Sequence, residues 1–244
     1  MKGLMIAFSA PNLEVPLNYN HQVQSLLYSI LGELKDKYHD EGFGNRHYKF
    51  FTFSSLRGKK KIIEKKMIFE DRIYLDVRSV YDEFCDTLYH ALSKHPVLLF
   101  GNGEMKCVAV EYLSPKITSN SLAISMISPV DIHTTHYEHR ENERPRGKTI
   151  YYSESNPEFH KLLNENFTRK YEAFTGNKPD SEITLSSLRF DKGAHKVVTT
   201  YKDIYITAYR GEYELSGNSE YLNFLYYTGL GSRNSAGFGM FNVI

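Results

Sequence analysis

The chain has no tryptophan, only two cysteines and almost no excess of charge: 30 Lys and Arg stand against 29 Asp and Glu in 244 residues. Each shortage excludes something. Cys85 and Cys107, both in apolar surroundings, cannot build a disulfide framework or a cysteine metal site, and that points to a reducing cytoplasm. No apolar run approaches the roughly 20 residues needed to span a bilayer, so no membrane partner is expected. The apolar run at 4–8 behind Lys2 is too short for a secretory segment and meets Pro11, Asn12 and Glu14 at once. No tight group of His, Asp and Glu carries metal-ligand spacing, so no metal and no other cofactor is expected. What remains is ordinary globular composition, 41% hydrophobic and 24% charged, enough for one large domain or two small ones.

The near-neutral total hides an uneven distribution. Residues 57–66 (RGKKKIIEKK) carry six positive charges and one negative, and residues 140–148 add four positives against two acids. Patches of this kind can hold a phosphate backbone even where the whole chain is not basic; two solvated basic loops are the plainer reading. Tyrosine and phenylalanine make up 14% of the chain. Some of these rings could stack on bases, although most must be core.

Periodicity gives the element order. Leu4, Ile6 and Phe8 alternate as a first strand. Val23, Leu27, Ile30, Leu31, Leu34 and Tyr38 recur at helical spacing, with Asn20 as N-cap and Gly42 and Gly44 as the stop. A second strand is expected over 48–56 (YKFFTFSSL), a basic hairpin loop over 57–66 and a third strand over 67–77. Val80, Phe84, Leu88, Ala91 and Leu92 mark a second helix, and residues 97–100 and 105–113 close the unit. That order is β-α-β-β-α-β, the ferredoxin-like split unit.

The second half repeats it. A strand at 122–127 precedes a polar loop around 133–148 and a returning segment at 149–153. Residues 158–174 form a helix with Phe159, Leu162, Leu163, Phe167 and Tyr171 on its apolar side. Strands follow at 183–190 and 204–213, then a helix at 218–227 and a last strand at 238–244. The expectation is an α+β chain of two tandem ferredoxin-like (RRM-like) domains, residues 1–118 and 119–244, the second carrying a glycine-rich loop.

That loop, residues 229–241 (GLGSRNSAGFGMF), places Gly229, Gly231, Gly237 and Gly239 between a helix and the final strand. Glycine serves where the backbone takes positive φ or approaches a ligand closely. Such a loop could offer bare N–H groups to phosphate oxygens, with Arg233 adding a forked charged donor. The tail resembles the glycine-rich signature of the CRISPR-associated repeat RNA endonucleases, the sixth Cas family, within the RAMP superfamily. The stretch 16–56 also resembles that family's block of first helix, histidine loop and aromatic strand. Residues 122–129 and the GNKPDSE run at 176–182 extend the likeness, so it touches both ends and the middle of the chain.

The resemblance implies a metal-independent endoribonuclease acting on CRISPR repeat RNA in the precursor transcript. The RNA's own 2′-hydroxyl would attack the adjacent phosphate, leaving 2′,3′-cyclic phosphate and 5′-hydroxyl ends. Three positions match the family's catalytic motif: Tyr28, His39 and Lys49. Histidine suits proton transfer near neutral pH; Lys49 could stabilise the phosphorane or protonate the leaving oxygen; Tyr28, on the polar side of its helix with Gln24 and Lys35, could orient the ribose. His47 is a rival histidine and His21 a weaker one. RNA contacts are expected from Gly229, Gly231, Arg233, Gly237, Gly239 and the lysines Lys59, Lys60 and Lys61. The alternative is a non-cleaving RNA-binding subunit of a CRISPR effector complex. Effector-complex membership and homodimerisation are left open by the sequence.

Overall fold

The computed structural model describes residues 1–44, 47–138, 146–189 and 195–244. Its first half is built on β1 (Lys2–Ser9), where Leu4, Ile6 and Phe8 are buried. β1 lies inside an antiparallel sheet, paired on one side with β6 (Arg72–Ser79) and on the other with β8 (Gly103–Leu113). β3 (Phe51–Phe53) and β7 (Val97–Phe100) take the edges, giving the order β3-β6-β1-β8-β7. Helix α2 (Asp82–Lys94) packs on β1, β6 and β8 through Phe84, Leu88 and Leu92, and α1 (Asn20–Ile30) packs beside it. A side sheet joins β2 (Leu13–Pro16) to the hairpin β4 (Lys60–Ile63) and β5 (Lys66–Phe69).

The second half repeats the plan. β9 (Ser121–Met126), α3 (Pro157–Thr175), β12 (Thr184–Arg189), β15 (Glu212–Ser216), α4 (Ser219–Thr228) and β16 (Phe241–Val243) form a sheet in the order β12-β15-β9-β16. In both halves the sheet reads second-third-first-fourth of its four core strands, which is the ferredoxin-like arrangement. The chain is a tandem pair of such units in the α+β class. Two further hairpins are inserted in the second: β10 (His133–Glu138) with β11 (Arg146–Tyr151), and β13 (Lys196–Tyr201) with β14 (Ile204–Tyr209). Among the described residues no helix is long and apolar enough to cross a membrane.

Several elements differ from the sequence expectation. The first helix ends at Ile30, because Gly32 at φ +56 turns the chain long before Gly42. Asn20 does not cap it; Tyr19 holds that position with no side-chain bond, and Asn20 reaches the tail instead. The second strand shrinks to three residues, since His47 and Phe50 at φ +52 and +50 break its alternation. The basic segment is paired strand rather than loop, and the third core strand starts at Arg72. The polar loop expected at 133–148 contains strands β10 and β11, and residues 139–145, which include 140–145 of the basic run 140–148, lie outside the described residues. Residues 204–213 split at Gly211: β14 pairs outward with β13, and β15 becomes the core strand. The strand expected at 183–190 is β12, with Phe190 outside the described residues.

The apolar interior forms two main clusters, one from residues 4–105 and one chiefly from 117–241, with Phe50 and Val80 of the first half buried in the second cluster. Arg78 crosses between them. Only 1% exposed, it donates to the carbonyl of Phe241 (2.6 Å) and the side chain of Asn242 (2.5 Å), and its guanidinium stacks 3.7 Å from the Tyr226 ring centre. Removing it opens a cavity and strands a buried carbonyl. Arg78→Ala is expected to cost about 3–5 kcal/mol, measured by urea unfolding; a loss below about 1 kcal/mol would show that Arg78 does not tie the halves together.

Candidate active site

Tyr28 projects from α1 one turn after Gln24, and both are buried, at 5% and 8% exposure. The side of α1 that the sequence reads as polar is buried: Gln24 donates to the Ser235 carbonyl of the tail, and Tyr28 packs among rings of its own half of the chain. The Tyr28 ring meets Phe51 edge-on at 5.8 Å and His39 edge-on at 4.8 Å. Beyond Gly32 the chain makes a short 3-10 turn (Gly32–Leu34) and a wide π-type turn (Lys37–Glu41). Within that turn Tyr38 is fully buried, its ring 4.9 Å from Phe84 and its hydroxyl donating to Glu83 at 3.0 Å. With Tyr38 anchored inward on α2, its neighbour His39 stands exposed beside Tyr28.

The His39 Nδ1 lies 2.5 Å from a carboxylate oxygen of Asp40. With the carboxylate on Nδ1, that nitrogen carries the proton and Nε2 is free to accept one. The His39 contact, more than any other, holds the Asp40 carboxyl below the usual range. Lys49 donates from Nζ to the His39 backbone carbonyl. Burial lowers its proton affinity, and Asp40 opposes that shift. Burial foremost, then Tyr201 and Asp40, pushes the Tyr28 phenol far above its ordinary value. Tyr28 therefore stays protonated at neutral pH and serves as a donor, not a base.

Tyr28 and Lys49 thus both touch His39, Tyr28 at its ring and Lys49 at its backbone carbonyl. His47 stands apart, its Nδ1 held 2.5 Å from the Glu41 carbonyl, and His21 packs edge-on against Tyr201 at 5.7 Å. Lys49 does not open a strand, as the sequence suggested, but sits in the irregular stretch before Phe50. Asp40 was missed, although it directly follows His39 in the chain.

Residues 14–112 match the family model of the CRISPR-associated protein Cas6, N-terminal, and residues 112–243 match that of CRISPR associated protein Cas6, C-terminal. The chain belongs to the Cas6 family. The CRISPR-associated endoribonuclease Cas6 1 of Methanocaldococcus jannaschii is 28% identical over 229 residues, covering 93% of this chain and 86% of its own. The CRISPR-associated endoribonuclease Cas6 of Pyrococcus furiosus is 22% identical over 233 residues, covering 94% and 84%. The solved structure of a Cas6-related gene product from Pyrococcus furiosus shares the fold with a TM-score of 0.82 at 21% identity, over 100% of this chain and 98% of that one.

In this Cas6 chain the four tail glycines face the protein. All four are buried and take positive φ, between +66° and +83°. A Cβ on Gly239 would stand 1.9 Å from the Leu230 carbonyl, and one on Gly237 would stand 2.3 Å from the Phe53 ring. The N–H groups of Gly229, Gly237 and Gly239 donate to Leu225, Asn234 and Pro129, so they are not the bare donors expected from the sequence. The partly open rim is Ser232, Arg233, Asn234 and Ser235. Arg233 ion-pairs with the fully buried Asp131, which also lies 3.0 Å from His133.

Two domains hold this loop. From α1, Asn20 donates to the Ala236 carbonyl and Gln24 to the Ser235 carbonyl, each at 2.7 Å. From α3, Lys170 donates to the Gly229 carbonyl at 2.5 Å and to Asn234 at 3.0 Å. Asn234 in turn donates to the carbonyls of Leu230 and Phe238, bridging both arms. Lys170 is only 3% exposed, and burial brings its ammonium down to about 7. It lies on the apolar side of α3 three residues after Phe167, a visible signal that sequence reading passed over.

The basic hairpin lies elsewhere. Lys59 ion-pairs with Glu70 at 2.8 Å, Lys60 donates to the Leu56 carbonyl at 2.9 Å, and Lys61 is exposed. Lys60, Lys65 and Arg210 line a cleft of about 750 Å³ between the hairpins β4–β5 and β13–β14. None of His39, Tyr28 and Lys49 lines it.

Two outcomes follow for the tail. Gly239→Ala is expected to cost about 2–4 kcal/mol, from left-handed strain plus the clash with Leu230. Gly32→Ala, where an added Cβ meets nothing within 4 Å, should cost about 1 kcal/mol; equal losses in thermal unfolding would contradict the packing reading. Lys170 binds its proton more weakly folded, at about 7, than unfolded, at about 10.4. Between those values the unfolded chain holds the extra proton, so stability should fall as pH drops from about 10 towards 7 and level off below. Lys170→Met should flatten that part of the profile, as read from unfolding free energies across the range.

Proposed function

We propose that this chain is a metal-independent endoribonuclease that cuts CRISPR repeat RNA through the RNA's own 2′-hydroxyl. The observation that carries this reading is the convergence of His39, Tyr28 and Lys49 beside the tail rim, with Asp40 on the imidazole. Both relatives described above bear the name CRISPR-associated endoribonuclease, which supports the substrate class and the cutting activity.

The chemistry suits these groups. His39 Nε2 takes the proton of the 2′-hydroxyl, whose oxygen then bonds to the adjacent phosphorus. The P–O5′ bond breaks, leaving a 2′,3′-cyclic phosphate on one fragment and a 5′-hydroxyl on the other. Lys49, its proton loosened by burial, stabilises the phosphorane and can protonate the departing 5′ oxygen. Tyr28 donates to the ribose or phosphate and cannot compete as base. Asp40 fixes the tautomer. Among the described residues no three His, Cys, Asp or Glu gather as a metal ligand set, and no step in this scheme uses one.

The RNA path runs over the tail rim towards His39, and the basic hairpin with Lys59, Lys60 and Lys61 supplies further backbone contacts. Cys85 and Cys107 are free thiols, which supports a reducing, cytoplasmic compartment. A non-cleaving RNA-binding role would leave the His39–Asp40 pair without a task.

Cleavage of repeat RNA should persist in excess EDTA; loss on chelation, restored by Mg²⁺, would refute metal independence. A single 2′-deoxy sugar upstream of the scissile phosphate should abolish cutting while RNA still binds. His39→Ala should lose about 10²–10⁴-fold in single-turnover rate with little change in Kd, while His47→Ala keeps most activity. Normal cutting of the deoxy substrate would end the 2′-hydroxyl scheme, and a dead His47→Ala variant would move the proton-transfer role to His47.

A further inference from the structure

Between α3, residues 47–51 and the tail rim lies a cleft of about 480 Å³. The side chains lining it include Lys49, Arg169, Lys170 and Arg233, with His47 and His133, and no Asp or Glu. Two of those cations are already matched: Arg169 pairs with Glu165 at 3.3 Å, and Arg233 pairs with Asp131. Lys49 and Lys170 have no acid partner within ion-pair distance among the described residues. Lys49 is assigned to the reacting phosphate, which leaves Lys170.

Lys170 is an unusual group to bury. An ammonium offers three donors, and two are used, on the Gly229 carbonyl and on Asn234. The third has no partner among the described residues. A buried amine without a counter-charge carries a desolvation cost that its two hydrogen bonds only partly offset. A ligand that supplies the missing negative charge removes the penalty. Ser232 and Ser235 line the same cleft at its half-open rim, so an anionic group can enter beside the loop without moving it.

We propose that this cleft is a second phosphate site for the RNA strand, separate from the reacting phosphate, in which Lys170 gives its third donor and its charge to a backbone phosphate at the tail rim. The proposal rests on the RNA-cutting reading above. It assigns to Lys170 a binding role in registering the strand, one phosphate away from Lys49 or further. The site also couples binding to proton uptake. Free Lys170, poised near neutral pH by burial, becomes fully charged when a phosphate sits beside it. His47 and His133 line the same cleft, so the Lys170 share is the part that a Lys170 variant removes.

The test compares wild type, Lys170→Met and Lys170→Gln on the full chain with repeat RNA at pH 7.5–8. Binding is followed against salt, and calorimetry in buffers of different ionisation enthalpy reads proton uptake. The expected result is at least tenfold weaker binding by Lys170→Met, a salt slope reduced by about 1 and reduced proton uptake. The rise in Kd should exceed any fall in single-turnover rate at saturating RNA. Lys170→Gln, which keeps a donor without charge, should recover part of the affinity and none of the proton uptake. Unfolding measurements at pH 7 should show Lys170→Gln, which keeps a donor for the Gly229 carbonyl, close to wild type in stability, separating lost binding from lost fold.

Unchanged affinity, salt slope and proton uptake in both variants would overturn the site while leaving the nuclease reading intact. Nitrogen NMR of the lysine amines with inorganic phosphate gives the independent arm. A Lys170 signal that moves to the ammonium form with phosphate, in a chain that binds no repeat RNA, would keep the anion site and sink the RNA reading. A Lys170 signal unmoved by phosphate, together with variants that bind RNA normally, would sink the site alone.

Discussion

The structure depends on a loop clamped from both sides. Residues 229–238 are gripped from α1 by Asn20 and Gln24 and from α3 by Lys170, and Asn234 bridges the loop's two arms. Each of these bonds joins a side chain to a backbone carbonyl or to the bridging amide, so together they fix a path rather than merely a contact. The glycines make that path available, because there is no room for a Cβ where the loop passes Leu230 and Phe53. Once the loop is fixed, the N-terminal helix and the C-terminal half of the chain are joined through Asn20 and Gln24.

A second constraint fixes Lys49. Phe50 and Phe51 are consecutive yet belong to different interiors, Phe51 to the first cluster and Phe50 to the second. An extended strand would already send neighbours to opposite faces of one sheet. Here Phe50, at φ +50, lets the first ring join the other domain altogether, against Phe174 at 5.5 Å and Phe224 at 6.3 Å. Left-handed backbone at a bulky residue costs about 1–2 kcal/mol, and burying a phenylalanine returns more than that. The residue before the kink, Lys49, is left at the rim with its amine on the His39 carbonyl. Core packing thereby places a chemical group.

Much of the fold was legible because its core elements obey simple periods. Leu4, Ile6 and Phe8 alternate, and Phe159, Leu163 and Phe167 recur every four residues. The added hairpins were not legible. Their tight turns fall at Glu64–Lys65 and Lys202–Asp203, with Glu64, Lys202 and Asp203 at positive φ, and none of these residues is the Gly or Asn that usually marks such turns. At the site, His39, Tyr28 and Lys49 came from family likeness; residue spacing alone would not have joined them. Tyr28 fell on the polar side of a helical wheel because its cover comes from outside the helix, from the rings of His39 and Phe51. The helix stop was assigned to Gly42 and Gly44, whereas α1 ends at Ile30 and the chain turns at Gly32. Lys170 was readable as a cation on an apolar stripe, and Asp40 as the neighbour of a histidine, but neither pattern is specific without the tertiary contacts.

The exposure of the His39–Asp40 pair bears on how the site works. Their side chains are 43% and 62% exposed, so water screens the pair and its attraction is weak. Such a pair orients an imidazole but does little else while solvated. Catalytic electrostatics need a drier surrounding, and the His39 side chain stays 43% exposed with the Tyr28 ring and the Asp40 carboxylate beside it. The missing cover must come from the ligand. A polyanion laid along the tail rim would exclude water from His39 and bring its own charge against Lys49 in the same step. On the proposed reading, the free protein keeps a solvated surface histidine, and the reacting environment forms only in the complex.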